Sequence, residues 1–167
     1  MIRKSITIMF ALMLLLTTGT VVGAEMAKEG SASGVTYFTS TVQVLAQGKE
    51  NFVANYDARG VSGSNDNTSP FYGASGQCVG TYRGIKGEFK EIGLCTYTRP
   101  NGDKIFMSYE ATGKVGSPVK GTSTFVGGTG ECDGLTGSGE FTRTSIKGPA
   151  EGIGASISKS TFNWKIP

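Results

Sequence analysis

The chain has 167 residues, 38% of them hydrophobic, with 16 basic and 13 acidic side chains and no histidine. That length gives one ordinary domain with a core of its own. The missing histidine excludes Ser-His-Asp and Cys-His catalysis and every histidine-ligated metal site. A net charge of +3 leaves no clustered basic excess of the kind that nucleic acid or an anionic membrane surface requires.

The N-terminus reads as a signal peptide. Arg3 and Lys4 precede the apolar run Ile6 to Leu16, too short to cross a bilayer, which takes roughly twenty apolar residues. Val22-Gly23-Ala24 has small or neutral residues at the cleavage-specifying positions, which puts the cut after Ala24. No cysteine lies near that cut for lipid attachment, so the expected product is exported, periplasmic or secreted, with no membrane anchor. The expected organisation is a signal peptide at 1–24, a flexible segment at 25–34 and a single domain at 35–167.

Beyond that point no segment keeps a helical apolar period. Short runs rich in Thr, Val, Ile, Tyr and Phe recur between Gly, Asn, Asp and Ser clusters, which predicts an all-β domain. Eight strands are expected, at about 35–46, 50–60, 76–85, 88–99, 103–113, 119–127, 138–147 and 155–165. Ser62 to Ser75 reads as a flexible loop, either covering a barrel mouth or simply solvated.

Two hairpins fix a register. A two-residue turn at Lys86-Gly87 pairs Ile85 with Glu88, Thr81 with Ile92 and Val79 with Leu94. Asn101-Gly102, read as a type I′ turn, pairs Pro100 with Asp103 and sets Thr96 opposite Met107 and Leu94 opposite Tyr109. Side chains alternate between faces, so Val79, Thr81, Ile92, Leu94, Thr96, Ile105, Met107 and Tyr109 are expected in the core. The same register places Cys78 opposite Cys95 on the outer face, close enough for a disulfide. Tyr82, Tyr97 and Phe106 lie around it, either as ordinary cross-strand packing or as a patch that meets another subunit.

Eight antiparallel strands make a closed barrel or a two-sheet sandwich, and only the barrel removes exposed edges. Glu91, Lys104 and Glu110 are expected outward, where a lipid-facing barrel tolerates no charge at mid-depth. A soluble barrel follows.

The run Phe125 to Phe141 (FVGGTGECDGLTGSGEF) fails each template for a glycine-rich site. A dinucleotide fingerprint begun at Gly128 and Gly130 meets Asp133 where it needs glycine. No lysine is present for a P-loop, and Glu131 and Asp133 are too few oxygens for a calcium loop. Gly127, Gly128, Gly130, Gly134 and Gly137 therefore read as a turn device. No metal and no cofactor is expected.

Gly127-Gly128-Thr129-Gly130, with Gly134 and Gly137 following, resembles the segment carried by the allene oxide cyclase-like barrel group, to which dirigent proteins are related. Cys78-Val79-Gly80, the stretch from Cys95 through Arg99-Pro100-Asn101-Gly102-Asp103-Lys104, and the glycine run are similar in order to small exported bacterial proteins of that type. The resemblance spans nearly all of 35–165. It implies an eight-stranded antiparallel, calycin-like barrel with an apolar cavity, assembled as a trimer in plant relatives. Relatives that are cyclases shape a lipid epoxide with help from a carboxylate and water, but none of their catalytic residues transfers to a position here. Cys132 stands where the group has an aromatic, as an inert buried substitute or as a reactive thiol.

Three functions follow from this pattern. The first is a non-catalytic barrel holding a small apolar or amphipathic molecule, with Thr81, Arg83, Thr96, Met107 and Tyr109 as the candidate lining. The second is an isomerase or cyclase, for which Tyr109, flanked at the mouth by Arg83 and Lys90, is the inward candidate. The third is an interaction protein with a filled barrel. Pattern alone does not separate a hollow barrel from a filled one.

Overall fold

In the computed structural model, which describes residues 25–48, 50–64 and 66–167, eight antiparallel strands follow one another. They are β1 (Glu29–Ala46), β2 (Phe52–Ser62), β3 (Ser75–Ile85), β4 (Glu88–Thr98), β5 (Lys104–Lys114), β6 (Val119–Gly128), β7 (Thr136–Ile146) and β8 (Ile153–Lys165). Each pairs with the next, and β8 returns to β1, so the expected all-β barrel closes with no free edge. The expected signal segment, 1–24, lies outside the described residues.

Glycine decides which way each strand faces. Eight of the inward aromatic rings sit directly across from a glycine on a neighbouring strand: Phe38 on Gly60, Phe52 on Gly84, Tyr56 on Gly80, Tyr97 on Gly76, Tyr109 on Gly93, Phe141 on Gly121, Phe162 on Gly139 and Trp164 on Gly30. A Cβ on Gly84 would meet the Phe52 ring at 2.3 Å, and one on Gly139 the Phe162 ring at 2.2 Å. Large rings thus lie flat against bare backbone, which is how eight strands enclose this many aromatics without overpacking.

The β3–β4 turn has the expected form. Lys86 and Gly87 both adopt positive φ (51° and 81°), and Thr81 pairs with Ile92 and Val79 with Leu94. The β4–β5 turn does not. The Gly102 N–H donates to the Arg99 carbonyl at 2.9 Å, and the Arg99 N–H donates to the Asp103 carbonyl at 2.8 Å. Pro100, with φ fixed near −65°, occupies the second position of a type I turn; Gly102, at φ 92°, completes a three-residue loop. Tyr97 therefore pairs with Ile105, and Cys95 with Met107, one residue away from the expected register.

A one-residue slip turns a strand over. Ile105, Met107 and Tyr109 do face inward, but their partners on that face are Tyr97, Cys95 and Gly93. Val79, Ile92 and Leu94, expected in the core, point outward, with exposures of 48%, 65% and 60%. The Cys78–Cys95 disulfide forms as expected but lies inside the barrel. Tyr97 is interior rather than on the outer face, and Tyr82 borders the interior as well.

One end of the barrel is sealed. Residues 25–34 are not a flexible leader, because β1 begins at Glu29 and Met26 is buried. The Ala27 carbonyl accepts the Trp164 indole N–H at 2.9 Å, and the Ile166 N–H donates to the Lys28 carbonyl at 2.7 Å. The loop expected to be flexible at Ser62 to Ser75 is a plug: Ser69, Pro70, Phe71 and Ala74 are buried. Phe71 stacks on Phe162 at 4.6 Å between ring centres and meets Tyr97 edge-on at 5.1 Å.

The glycine run completes this closed end. Asp103 accepts the Glu131 N–H at 2.9 Å, and the Thr129 hydroxyl accepts the Lys104 N–H at 3.0 Å, stitching the β6–β7 connection to the β4–β5 turn. Gly130 (φ 60°) lies so close to the Asp103 carboxylate that a Cβ would stand 1.9 Å from Oδ1. Cys132 is unpaired and fully buried beneath this turn, and burial pushes its thiol pKa up.

Candidate functional site

The opposite end, where β1, β3, β5 and β7 finish, opens into a cavity of about 270 Å³. Alternation along the strands supplies its walls. β2, β3, β4 and β5 contribute Tyr56, Tyr82, Phe89 and Tyr109; β1, β7 and β8 contribute Ser40, Ser145, Ser156 and Ser158 together with Phe38, Val42, Phe141 and Ile146. Beneath lie the disulfide, Tyr97 and Met107.

One charged pair crosses this space. Glu91 on β4 has a side chain only 1% exposed, and Arg143 on β7 reaches it through Nη2 to Oε2. The Tyr56 hydroxyl donates to Glu91 Oε1 at 2.5 Å, and the Tyr109 hydroxyl reaches the same oxygen at 3.5 Å. Gly80 and Gly93 make those phenol positions possible: a Cβ on either would stand 2.5 Å and 2.4 Å from the respective tyrosine oxygen. Burial lowers the Arg143 pKa to about 10, which leaves the guanidinium charged at neutral pH. Burial pushes the Tyr109 phenol upward, so it remains a proton donor. For Tyr82, burial raises the phenol and the nearby Arg143 charge lowers it, with a net upward result. Chemically, the cluster offers donors aimed at one carboxylate and no unpaired charge.

Of the expected lining residues, Met107 and Tyr109 reach the cavity. Thr81, Arg83 and Thr96 do not: they belong to the outer face, where the Thr81 hydroxyl donates to Asn55 at 2.6 Å. Their displacement has the same cause as that of Val79 and Leu94, the extra residue in the β4–β5 turn. Glu91, expected outward, is the residue the sequence reading misplaced most consequentially. Tyr56 and Arg143 went unrecognised, although the glycine opposite Tyr56 marks it as inward-facing. Among the described residues there is no group of three or more Asp, Glu, Cys or His placed to hold a metal ion, and no helix long and apolar enough to cross a membrane.

A wider concavity, about 1110 Å³, is lined by residues of β5–β8 and β1, with Gly63 and Asp66. Glu110, Lys120, Glu140 and Lys159 line it with opposed charges that are all exposed, so nothing there converges on a ligand.

No protein-family model matches the chain, and no curated protein matches it in sequence. Among solved structures it is similar to a pterocarpan synthase dirigent protein, with a TM-score of 0.53 and 18% identity over 94% of this chain and 100% of that one. At that identity the likeness speaks to the fold alone: a closed, eight-stranded antiparallel barrel, shared in shape with that dirigent protein.

Proposed function

We propose that this protein is an exported barrel that holds a small apolar or amphipathic molecule in its interior without transforming it. The observation that carries this reading is the open cavity, whose walls combine aromatic rings and serine hydroxyls around the paired Glu91–Arg143 cluster. At about 270 Å³ it stands near the lower end of the ~300–1,000 Å³ range of small-molecule pockets. The hollow upper half speaks against the filled-barrel alternative. The interior disulfide supports folding in an oxidising compartment, and hence export.

Native mass spectrometry of the protein recovered from the periplasm or medium tests the reading. A bound small molecule is expected in the wild type and absent from Ser156→Trp, which fills the cavity. An adduct that persists in that variant, or a wild type with none and no response to added apolar compounds, overturns it.

A second reading, an isomerase or cyclase, gains support from one observation: a carboxylate does stand inside the barrel, under two phenols. That reading requires the bound molecule to emerge altered from the wild type and unaltered from Glu91→Gln. Assembly as a homo-oligomer, a trimer on the family resemblance, is an accompanying proposal. It is supported by the exposed apolar side chains Val79, Ile92 and Leu94, and sedimentation tests it.

A further inference from the structure

The cavity sets free hydroxyls among apolar side chains, and that mixture constrains its occupant. On the β7–β8 side, cross-strand pairing sets Ser145 directly opposite Ser156, and Arg143 opposite Ser158. Ser40 adds a third hydroxyl to this side from β1. Each serine hydroxyl offers one donor and two acceptor positions. Ser158 shares one of these with Ser160, at 3.5 Å, whereas Ser40, Ser145 and Ser156 make no side-chain hydrogen bond among the described residues. On β3 and β4, across the barrel from β7 and β8 in the strand order, stand Tyr82 and Phe89, whose ring centres are 5.4 Å apart. Free serine hydroxyls and a pair of aromatic rings thus line one cavity.

Charge narrows the choice further. The ionised pair in the cavity is Glu91 with Arg143, and each satisfies the other while two phenols point at the carboxylate. A charged ligand entering here would lose its hydration without gaining a free counter-charge, a costly exchange. A fully apolar ligand would strip water from the three serines and return nothing to them.

We propose that the cavity selects an uncharged ring with oxygen substituents along one edge and an apolar face on the other, the shape of a cyclic polyol or a sugar-like ring. The apolar face lies on Tyr82 and Phe89, and the oxygens meet Ser40, Ser145 and Ser156. This inference rests on the binding reading above and specifies its ligand class.

Four rings of one size separate the possibilities: cis-cyclohexane-1,2-diol, methylcyclohexane, cyclohexanecarboxylate and cyclohexylammonium. Each is titrated into ¹⁵N-labelled protein, and the backbone amide shifts of Ser145 and Ser156 are followed. The diol is expected to bind at least tenfold more tightly than the other three. In Ser145→Ala/Ser156→Ala its advantage over methylcyclohexane is expected to shrink to within about threefold, with the amide spectrum otherwise retained. Equal or tighter binding of the carboxylate, the ammonium or the bare hydrocarbon overturns the ligand class while leaving the binding reading intact. No shift at these amides with any of the four overturns both.

Discussion

Removing Arg143 should expose how much the barrel depends on its internal ion pair. In Arg143→Met the Glu91 carboxylate, 1% exposed, keeps only the Tyr56 donor at 2.5 Å and the longer Tyr109 contact at 3.5 Å. Leaving one partner of a buried pair uncompensated costs about 3–5 kcal/mol. The two phenols and the 18% exposure of Arg143 argue for the lower end of that range. In a domain of this size, about 3 kcal/mol lowers Tm by roughly 6–12 °C. The double variant Glu91→Leu/Arg143→Met removes both charges together and should recover to within about 1–2 kcal/mol of wild type; the remaining deficit is the Tyr56 hydroxyl left without its acceptor. Urea unfolding followed by circular dichroism, run on the full double-mutant cycle, measures the coupling. A single Arg143→Met variant that loses less than about 1 kcal/mol would refute the reasoning, because it would mean that water reaches Glu91 freely.

Replacing both Cys78 and Cys95 by Ala should cost about 3 kcal/mol, the loop-closure value for a separation of 17 residues, read as a shift in urea midpoint. Phe71→Ala empties the plug beneath Phe162 and should destabilise by about 3–5 kcal/mol, accompanied by faster hydrogen exchange at the Trp164 indole N–H. Gly76→Ala would place a Cβ 2.6 Å from the Tyr97 ring and should cost about 1–3 kcal/mol, most of it recovered when Tyr97 is also reduced to Leu. Alkaline pH should unfold the barrel through its buried phenols. Burial raises Tyr97 to about 12 from an ordinary value of 10.0, so above pH 10 the unfolded chain sheds a proton that the fold retains. Stability is therefore full below pH 10 and falls by about 1.4 kcal/mol per unit between 10 and 12 for this group. Denaturant midpoints between pH 8 and 11.5 should decline less steeply in Tyr97→Phe.

Strand number, order of pairing and barrel closure were legible because turn residues and short β-branched runs are local signals. The interior was not, and one proline shows why. Asn101-Gly102 carries the strongest short-range hairpin signal, yet Pro100 ahead of it favours a type I turn, and the loop gains a residue. From that point β5 is read in the correct orientation against a β4 turned the wrong way. Hydrophobicity could not repair the error, because β4 puts Ile92 and Leu94 outside and Glu91 inside, the reverse of an ordinary amphipathic strand. The correcting signal was present in the glycines. Gly76, Gly80 and Gly84 recur at every fourth position of β3 and Gly93 sits on β4, all on the face that receives aromatic rings. They read as breakers within a strand when taken singly, and as the imprint of facing rings when taken together. Arg143 and Ser156 stayed hidden for a simpler reason: their importance comes from a partner across the barrel, and pairing over that distance leaves no trace in local pattern.

Because β1 lies along β8 from Glu29 opposite Lys165 to Thr41 opposite Ile153, the barrel is physically a ring in which the peptide chain merely happens to be cut. A short linker between the two ends of the described chain should join them beside the sealed base, and new termini opened in the 147–152 turn would then fall at the open mouth. Such a circular permutant keeps every strand pair and the Phe71 plug while loosening only the rim. The entrance to the cavity could in this way be widened or fitted with a tag without touching the side chains that line it.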